Sequence, residues 1–564
     1  MIIMANNTSE REHMPIADLL YPSTEKRAAL KKRRIEIEEK LPCDYLNDLM
    51  TESVSAMICR RNPQNVMRLF REFNCDKEVA QYRLDAFEDI QNHPKLSPVM
   101  HKIIRTMLDG ERKNVRNMDS PDTFSQLGAC IEVLDAYISC MEQLHEFYMS
   151  EGQGLNSLAF RGMFACFEER FNSEDFADMK RDIAELKEAL SEKIRCVTIA
   201  INFDQEMRPI AAGIVDYSNK PAGEKPSVFD RLFYRNSARP DTYVMGKMRT
   251  NRPNEDGFVN EADKALFGEL EKITSQYIGR LAGALKAYDR LTFEHMSAIE
   301  DQLDIYDGLA ALAENAQARG VKMRRPTLYD DRERNADIRK LYDICFYAKA
   351  AAANSKLKGD ELIVRNDISM DESGRFFILT GANNGGKTTF TRAVGLCFLM
   401  AQTGFYVPAE SCELSICDFI YTHFPREEET GINSSRFTAE IKQLKTISDT
   451  ITSNSLLLMN ESIQSTTPKE CTEIAAELVR IFCIIGVRGI FATHLTDLGY
   501  MCDEIAADPD CRSKPDSIIA EVDEESGRRL YRIRHGLPSK TSRAADVFDK
   551  FGINIEEIRG RQGR

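Results

Sequence analysis

One short stretch, Gly381-Ala-Asn-Asn-Gly-Gly-Lys-Thr-Thr389, constrains this chain more than any other. It follows an apolar run, Phe376–Leu379, and precedes a helical pattern, Thr388–Gly404, with Gly404 as the expected C-cap. The spelling fits GxxxxGK[ST], and the predicted strand before it and helix after it are the context that motif requires. Glycines let backbone N–H groups converge on phosphate oxygens, and the helix N-terminus adds a favourable dipole. The turn predicts a triphosphate cradle made by Gly381, Asn384, Gly385, Gly386, Lys387, Thr388 and Thr389. Lys387 is expected to reach the β and γ phosphates, and the Thr388 hydroxyl to ligate Mg²⁺.

A magnesium-dependent triphosphatase needs a second strand carrying a carboxylate beside that turn. Ser455-Leu-Leu-Leu-Met-Asn460-Glu461 supplies an apolar strand ending in polar groups. At the carboxyl edge of a parallel sheet these face the nucleotide crevice. Glu461 is the candidate to orient or deprotonate the attacking water. Asn460 stands where such sites usually carry Asp. Its amide oxygen still accepts a hydrogen bond but brings no negative charge, so the expectation is weaker Mg²⁺ binding or slower turnover. The candidate metal set is therefore Thr388, Asn460 and Glu461. A further strand ends in Phe491-Ala-Thr-His494, which puts His494 where it can sense or polarise a γ phosphate.

The rest of the chain is read by its texture. Its 564 residues exceed one ordinary core, so two or more domains are expected. Up to about residue 350 the pattern is helical. Met179, Ile183, Leu186 and Leu190 step by three or four. So do Leu266, Leu270, Ile273, Tyr277, Leu281, Leu285 and Tyr288, then Met296, Ile299, Leu303, Tyr306, Ala310 and Ala313. The last two sets together suggest a lever of roughly 75 Å, or several shorter helices; Gly279, Gly283 and Gly308 could bend it without ending it. Val197–Phe203 and Ile210–Tyr217 are β-rich and read as a small connector ending near Pro226. After about Asn354, short apolar runs alternate with helical patterns: strands at Ser455–Met459 and Arg488–Thr493, a helix at Pro468–Phe482, and a hairpin of Ile518–Val522 and Leu530–Ile533. Such alternation implies an α/β layer with a largely parallel sheet.

Composition bounds the partners. No apolar run approaches a membrane span, and no secretory leader is visible at the start. The fifteen cysteines form no CxxC pair, as expected of reduced thiols in a cytoplasmic protein; Cys397, Cys412, Cys417 and Cys483 lie in or beside apolar segments. Net charge is −14, so any nucleic-acid contact must come from local patches such as Lys26-Arg27 with Lys31–Arg34, or Arg235, Arg239, Lys247, Arg249 and Arg252. Solvated surface charge is the better reading of each set.

Taken together, these residues resemble the MutS family of DNA mismatch repair ATPases. The likeness runs in order through TGANNGGKTT, YVPAE (Tyr406–Glu410), SSRFTAEI (Ser434–Ile441), LLLMNES, FATH and HGLPSKTSRAADVF (His535–Phe548). The LSGGQ string of transporter-type ATPases is absent, and SSRFTAEI stands in its place. The resemblance implies two ATPase domains pairing head to tail, with Ser435 of one subunit reaching the γ phosphate held by the other. It also implies a phosphate-turn role for Asn383 and a communicating loop at Ser462–Pro468. The family's paired Asp-Glu is Asn460-Glu461 here. No mismatch-reading domain is expected before the helical core, and no nuclease domain after the ATPase.

The expected architecture is multidomain: an N-terminal helical segment (1–60), a mostly α-helical core and lever domain with a β connector (61–350), and an α/β P-loop ABC-type ATPase domain (351–564). The expected function is a homodimeric, ATP- and Mg²⁺-dependent switch of helical levers around mismatched or branched DNA. The alternatives are an ATP-dependent clamp on a ribosome or protein complex, and a weakly hydrolysing ATP-binding scaffold.

Overall fold

The computed structural model describes residues 18–40, 44–118, 123–193, 196–206, 209–218, 291–354, 356–382, 384–424, 433–464, 467–523 and 528–538. The chain divides into two compact units. One comprises Met1–Ala17, Lys95–Leu155 and Arg161–Glu300; the other comprises Asp18–Pro94, Asn156–Phe160 and Asp301–Arg564.

The first unit is built on helices. Leu96–Met118 and Thr123–Ser150 pack along each other, burying Ile103, Ile104 and Met107 with Leu134, Ile138 and Met141. Helix Glu174–Lys193 buries Met179 and Ile183. A two-stranded antiparallel ribbon, β1 (Cys196–Phe203) and β2 (Pro209–Ser218), forms where the β-rich connector was expected. The remainder of that connector and the pattern from Leu266 to Tyr288 lie outside the described residues. The later half of the long pattern is a single 28-residue helix, Leu291–Ala318, about 42 Å long, which from Asp301 onward belongs to the second unit.

The second unit holds two sheets. Its strands are β3 (Thr327–Tyr329), β4 (Ala336–Leu341), β5 (Asn366–Met370), β6 (Phe376–Thr380), β7 (Ser411–Ser415), β8 (Ile420–His423), β9 (Leu456–Asn460), β10 (Arg488–Ala492), β11 (Pro515–Val522) and β12 (Arg529–His535). A four-stranded sheet runs β3-β7-β4-β5, and a six-stranded sheet runs β12-β11-β6-β10-β9-β8. In the larger sheet every pairing is parallel except the β11/β12 hairpin. β6, β8 and β10 are buried along their whole length, and β6, covered on both faces, reads as a continuous apolar run, Phe376–Leu379, rather than an alternating one.

Register aligns the strand ends. Ala492 of β10 sits opposite Leu379 of β6 and Asn460 of β9. The loops leaving these three strands therefore emerge side by side at one edge. Helix Lys387–Thr403 packs against β9 and β10, and it is apolar nearly all round because both of its sides are covered. Its second cover comes from residues before Pro94. Helices Pro63–Glu72 and Lys77–Asn92 lie against it. The buried Arg83 donates to Thr403 O at 3.0 Å and Leu20 O at 2.8 Å, while the Asn74 amide donates to Gln402 O at 2.7 Å. Gly404 ends the helix, its N–H returning to Met400 and Ala401.

Gly308 lies inside Leu291–Ala318 and does not end it. A Cβ there would stand 1.6 Å from Ile58 O, so the absent side chain lets this helix touch the end of helix Thr51–Ile58. Among the described residues no helix is long and apolar enough to cross a membrane. Cys397, Cys412, Cys417 and Cys483 are buried free thiols.

Candidate active site

The turn after β6 runs directly into helix Lys387–Thr403. Its backbone takes left-handed values at Gly381 (φ 142°), Asn384 (φ 58°) and Gly386 (φ 92°). At Gly386 glycine is needed for that φ; the space beside it would admit a Cβ at ordinary contact, 3.4 Å from the ring of Tyr531. The Lys387 ammonium is buried. It donates to Gly381 O at 3.0 Å and stands 3.4 Å from a carboxylate oxygen of Glu461. Thr388 Oγ1 donates to Asn460 Oδ1 at 2.8 Å. Thr389 follows on the first helical turn, half-buried. Asn383 lies outside the described residues.

His494, past the tip of β10, meets Glu461 through Nδ1 at 2.8 Å, and the Gln464 amide donates to the same carboxylate at 3.0 Å. Burial pushes the Glu461 carboxyl up. The His494 hydrogen bond and the Lys387 charge outweigh it, so the net shift is downward. Glu461 is thus a firmly ionised carboxylate at neutral pH. A group held so acidic suits orienting a water better than removing its proton.

The oxygens of Thr388, Asn460 and Glu461 form the kind of hard donor set that Mg²⁺ accepts, and the Thr388–Asn460 contact brings two of them together. The residues fit the ion, with one neutral donor where a charged one is usual.

The loop beyond β9 is strained. Glu461 (φ 54°) and Ile463 (φ 61°) are both left-handed, and a β-branched residue there is a marked outlier costing roughly 1–3 kcal/mol. Three contacts hold it. The Glu461 N–H donates to Ala492 O at 2.7 Å. The Ile463 N–H donates to Glu440 Oε1 at 2.7 Å. Ser462 Oγ lies 2.6 Å from His423 Nδ1 and donates to His423 O at 3.2 Å. Burial pushes the His423 imidazole down to about 4. It is neutral at pH 7, with its Nδ1–H donating to Ser462 Oγ while that hydroxyl donates to the carbonyl.

Glu440 and Ser462 lie in the segments SSRFTAEI and LLLMNES, but nothing in those strings showed that they hold this loop, and His423 lay in no motif. Neither did Asn366, whose amide clasps β12 by donating to Tyr531 O at 3.2 Å and accepting from the Ile533 N–H at 2.8 Å. Ser435 falls on helix Asn433–Thr450, two residues past its start; its side chain lies outside the described residues.

Most of the first basic patch is paired with carboxylates. On helix Thr24–Lys40, Lys26 pairs with Asp76 and Glu78, Arg27 with Asp18, Lys32 with Glu36 and Arg34 with Glu38, while Arg33 donates to Phe73 O. The second patch lies outside the described residues.

Comparison with known proteins matches two family models to this chain: MutS domain V over residues 377–541 and MutS2 N-terminal domain over residues 75–319. The DNA mismatch repair protein MutS of Halothermothrix orenii is 27% identical over 306 residues, which is 54% of this chain and 29% of that protein. The protein of the same name from Petrotoga mobilis is 37% identical over 146 residues, 25% of this chain and 18% of that protein. Endonuclease MutS2 of Thermus thermophilus is 34% identical over 135 residues, 24% of this chain and 18% of that protein. The matched stretch thus spans less than a third of each of these relatives. Models named for MutS and MutS2 thus match both its helical and its α/β portions, and over those stretches the chain resembles the MutS family.

Proposed function

We propose that the protein is a P-loop ATPase of the ABC type that binds Mg-ATP at residues 381–389 and uses it to switch a homodimer on DNA. The observation that carries this reading is the meeting of Lys387, Thr388, Asn460, Glu461 and His494 within hydrogen-bond or ion-pair reach at one sheet edge.

The amides of the turn, Asn383 and Asn384 among them, wrap the phosphates, and Lys387 neutralises the β and γ oxygens. Thr388, Asn460 and Glu461 hold Mg²⁺, which supplies charge neutralisation between the phosphates. Glu461 orients the attacking water, and His494 fixes the Glu461 carboxylate and faces the γ phosphate. Ser435 of the opposing subunit completes the pocket. The division of labour follows: residues 351–564 form the ATPase domain, and 61–350 form the core and lever. Such a switch works where ATP and DNA meet, in the cytoplasm.

The names of the relatives, DNA mismatch repair protein MutS and Endonuclease MutS2, support mismatched or branched DNA as the partner. With a net charge of −14 and most of the Thr24–Lys40 patch paired with carboxylates, the phosphate contacts fall to the helical region. Filter retention of branched and mismatched duplexes tests this. Affinity is expected to drop by about 10² between 50 and 200 mM salt, as for about four phosphate contacts, and to change when ATP is added. A flat salt response, or no effect of ATP, rejects the DNA reading.

A further inference from the structure

The segment Glu461–Gln464 joins the carboxylate of the proposed ATPase site to helix Asn433–Thr450 through one bond, the Ile463 N–H to Glu440 Oε1 at 2.7 Å. Three features make that bond more than a packing detail. Ile463 holds φ 61°, a region its β-branched side chain disfavours, so its backbone stays there only while something holds it. Ile463 has no solvent exposure, so its amide cannot turn to water. Glu440 is itself 8% exposed, and its acceptor is a carboxylate oxygen, the stronger kind of partner for an N–H.

Glu461 lies two residues back along the same strained turn, at φ 54°. Its carboxylate must meet Lys387 at 3.4 Å and His494 at 2.8 Å simultaneously. Released at Ile463, the turn is still anchored at the Glu461 N–H by Ala492 O and at Ser462 by His423, but the peptide between 462 and 463 is free to rotate. That rotation carries the carboxylate away from both partners. The clamp also makes Glu461 follow helix Asn433–Thr450, so a shift of that helix is handed to the carboxylate.

We propose that Glu440 is a positioning residue for ATP hydrolysis: by holding Ile463 left-handed it aims the Glu461 carboxylate, an inference that rests on the ATPase reading above. The test uses the full chain and measures steady-state turnover alongside affinity for a non-hydrolysable ATP analogue with Mg²⁺. Glu440→Ala is expected to lower kcat by about 10²-fold, the cost of roughly 1 Å of misplacement, with analogue affinity within about threefold of the parent. Glu440→Gln keeps an accepting oxygen and is expected to retain most turnover. Unchanged kcat in Glu440→Ala overturns the proposal, as does an equal fall in kcat and affinity. If Glu440→Ala does not yield folded protein, Glu440→Asp decides: it keeps the carboxylate but draws it back by one methylene, so a fall in kcat at unchanged analogue affinity supports the clamp, and kcat equal to the parent's overturns it. Glu461→Gln is run in parallel. Lost turnover there with a silent Glu440→Ala sinks the clamp alone; retained turnover in Glu461→Gln sinks the reading of Glu461 and the clamp with it.

Discussion

Asn460 concentrates the chemical question of this site in one atom. Its Oδ1 already accepts from Thr388, so replacing it with Asp preserves that hydrogen bond and adds only charge. Asn460→Asp is expected to raise turnover about tenfold, the equivalent of about 1.4 kcal/mol in the barrier, read as kcat at saturating Mg-ATP. Equal kcat in the two proteins would show that the missing charge does not limit the reaction. His423 gives a second test at this scale. Its folded pKa is depressed from 6.5 to about 4, so between those values the unfolded chain binds the proton and the native state does not. Stability is therefore complete above pH 6.5 and falls as pH drops toward 4, with about 2 kcal/mol lost by pH 5. Urea titrations at pH 7 and pH 5 should show that loss, and His423→Gln should shrink it; a variant with undiminished pH dependence contradicts the assignment. The turn glycines, Lys387, Thr388, Asn460, Glu461 and His494 were legible in the sequence because each sits at a fixed offset from a strand end. Glu440 and His423 were not: they reach the loop from 23 and 39 residues away, through a fold that no local pattern encodes.

At the scale of elements, the strand–turn–helix of 376–403 was readable because its propensity, punctuation and apolar run agree. What surrounds that helix was not. Residues 18–94 cover it from more than three hundred positions upstream, through Arg83 and Asn74. Gly308 is a similar case. In the sequence it suggests a tolerated bend; in the fold it is the point where two helices touch backbone to side-chain-free backbone. Gly308→Ala must drive Leu291–Ala318 away from Thr51–Ile58, at a cost of about 2–3 kcal/mol. An unfolding free energy from urea titration lowered by that amount is the expected result, and a value within about 0.5 kcal/mol of the parent's would show that the contact yields freely.

At the scale of the whole molecule, the two compact units have unequal tasks in this account. The unit with the sheets carries the ATP chemistry, and helices of the other unit carry the partner. The lever expected from Leu266 to Ala313 is described only from Leu291 onward, as one helix. Everything proposed for the dimer presupposes that the turn after β6 takes a nucleotide. Calorimetric titration of Mg-ATP into the parent protein and into Lys387→Ala tests this most directly. The account predicts saturable binding by the parent and affinity at least tenfold weaker, a loss of 1.4 kcal/mol or more, when the buried ammonium is removed. Equal affinity in the two proteins, or no binding by the parent, would contradict it.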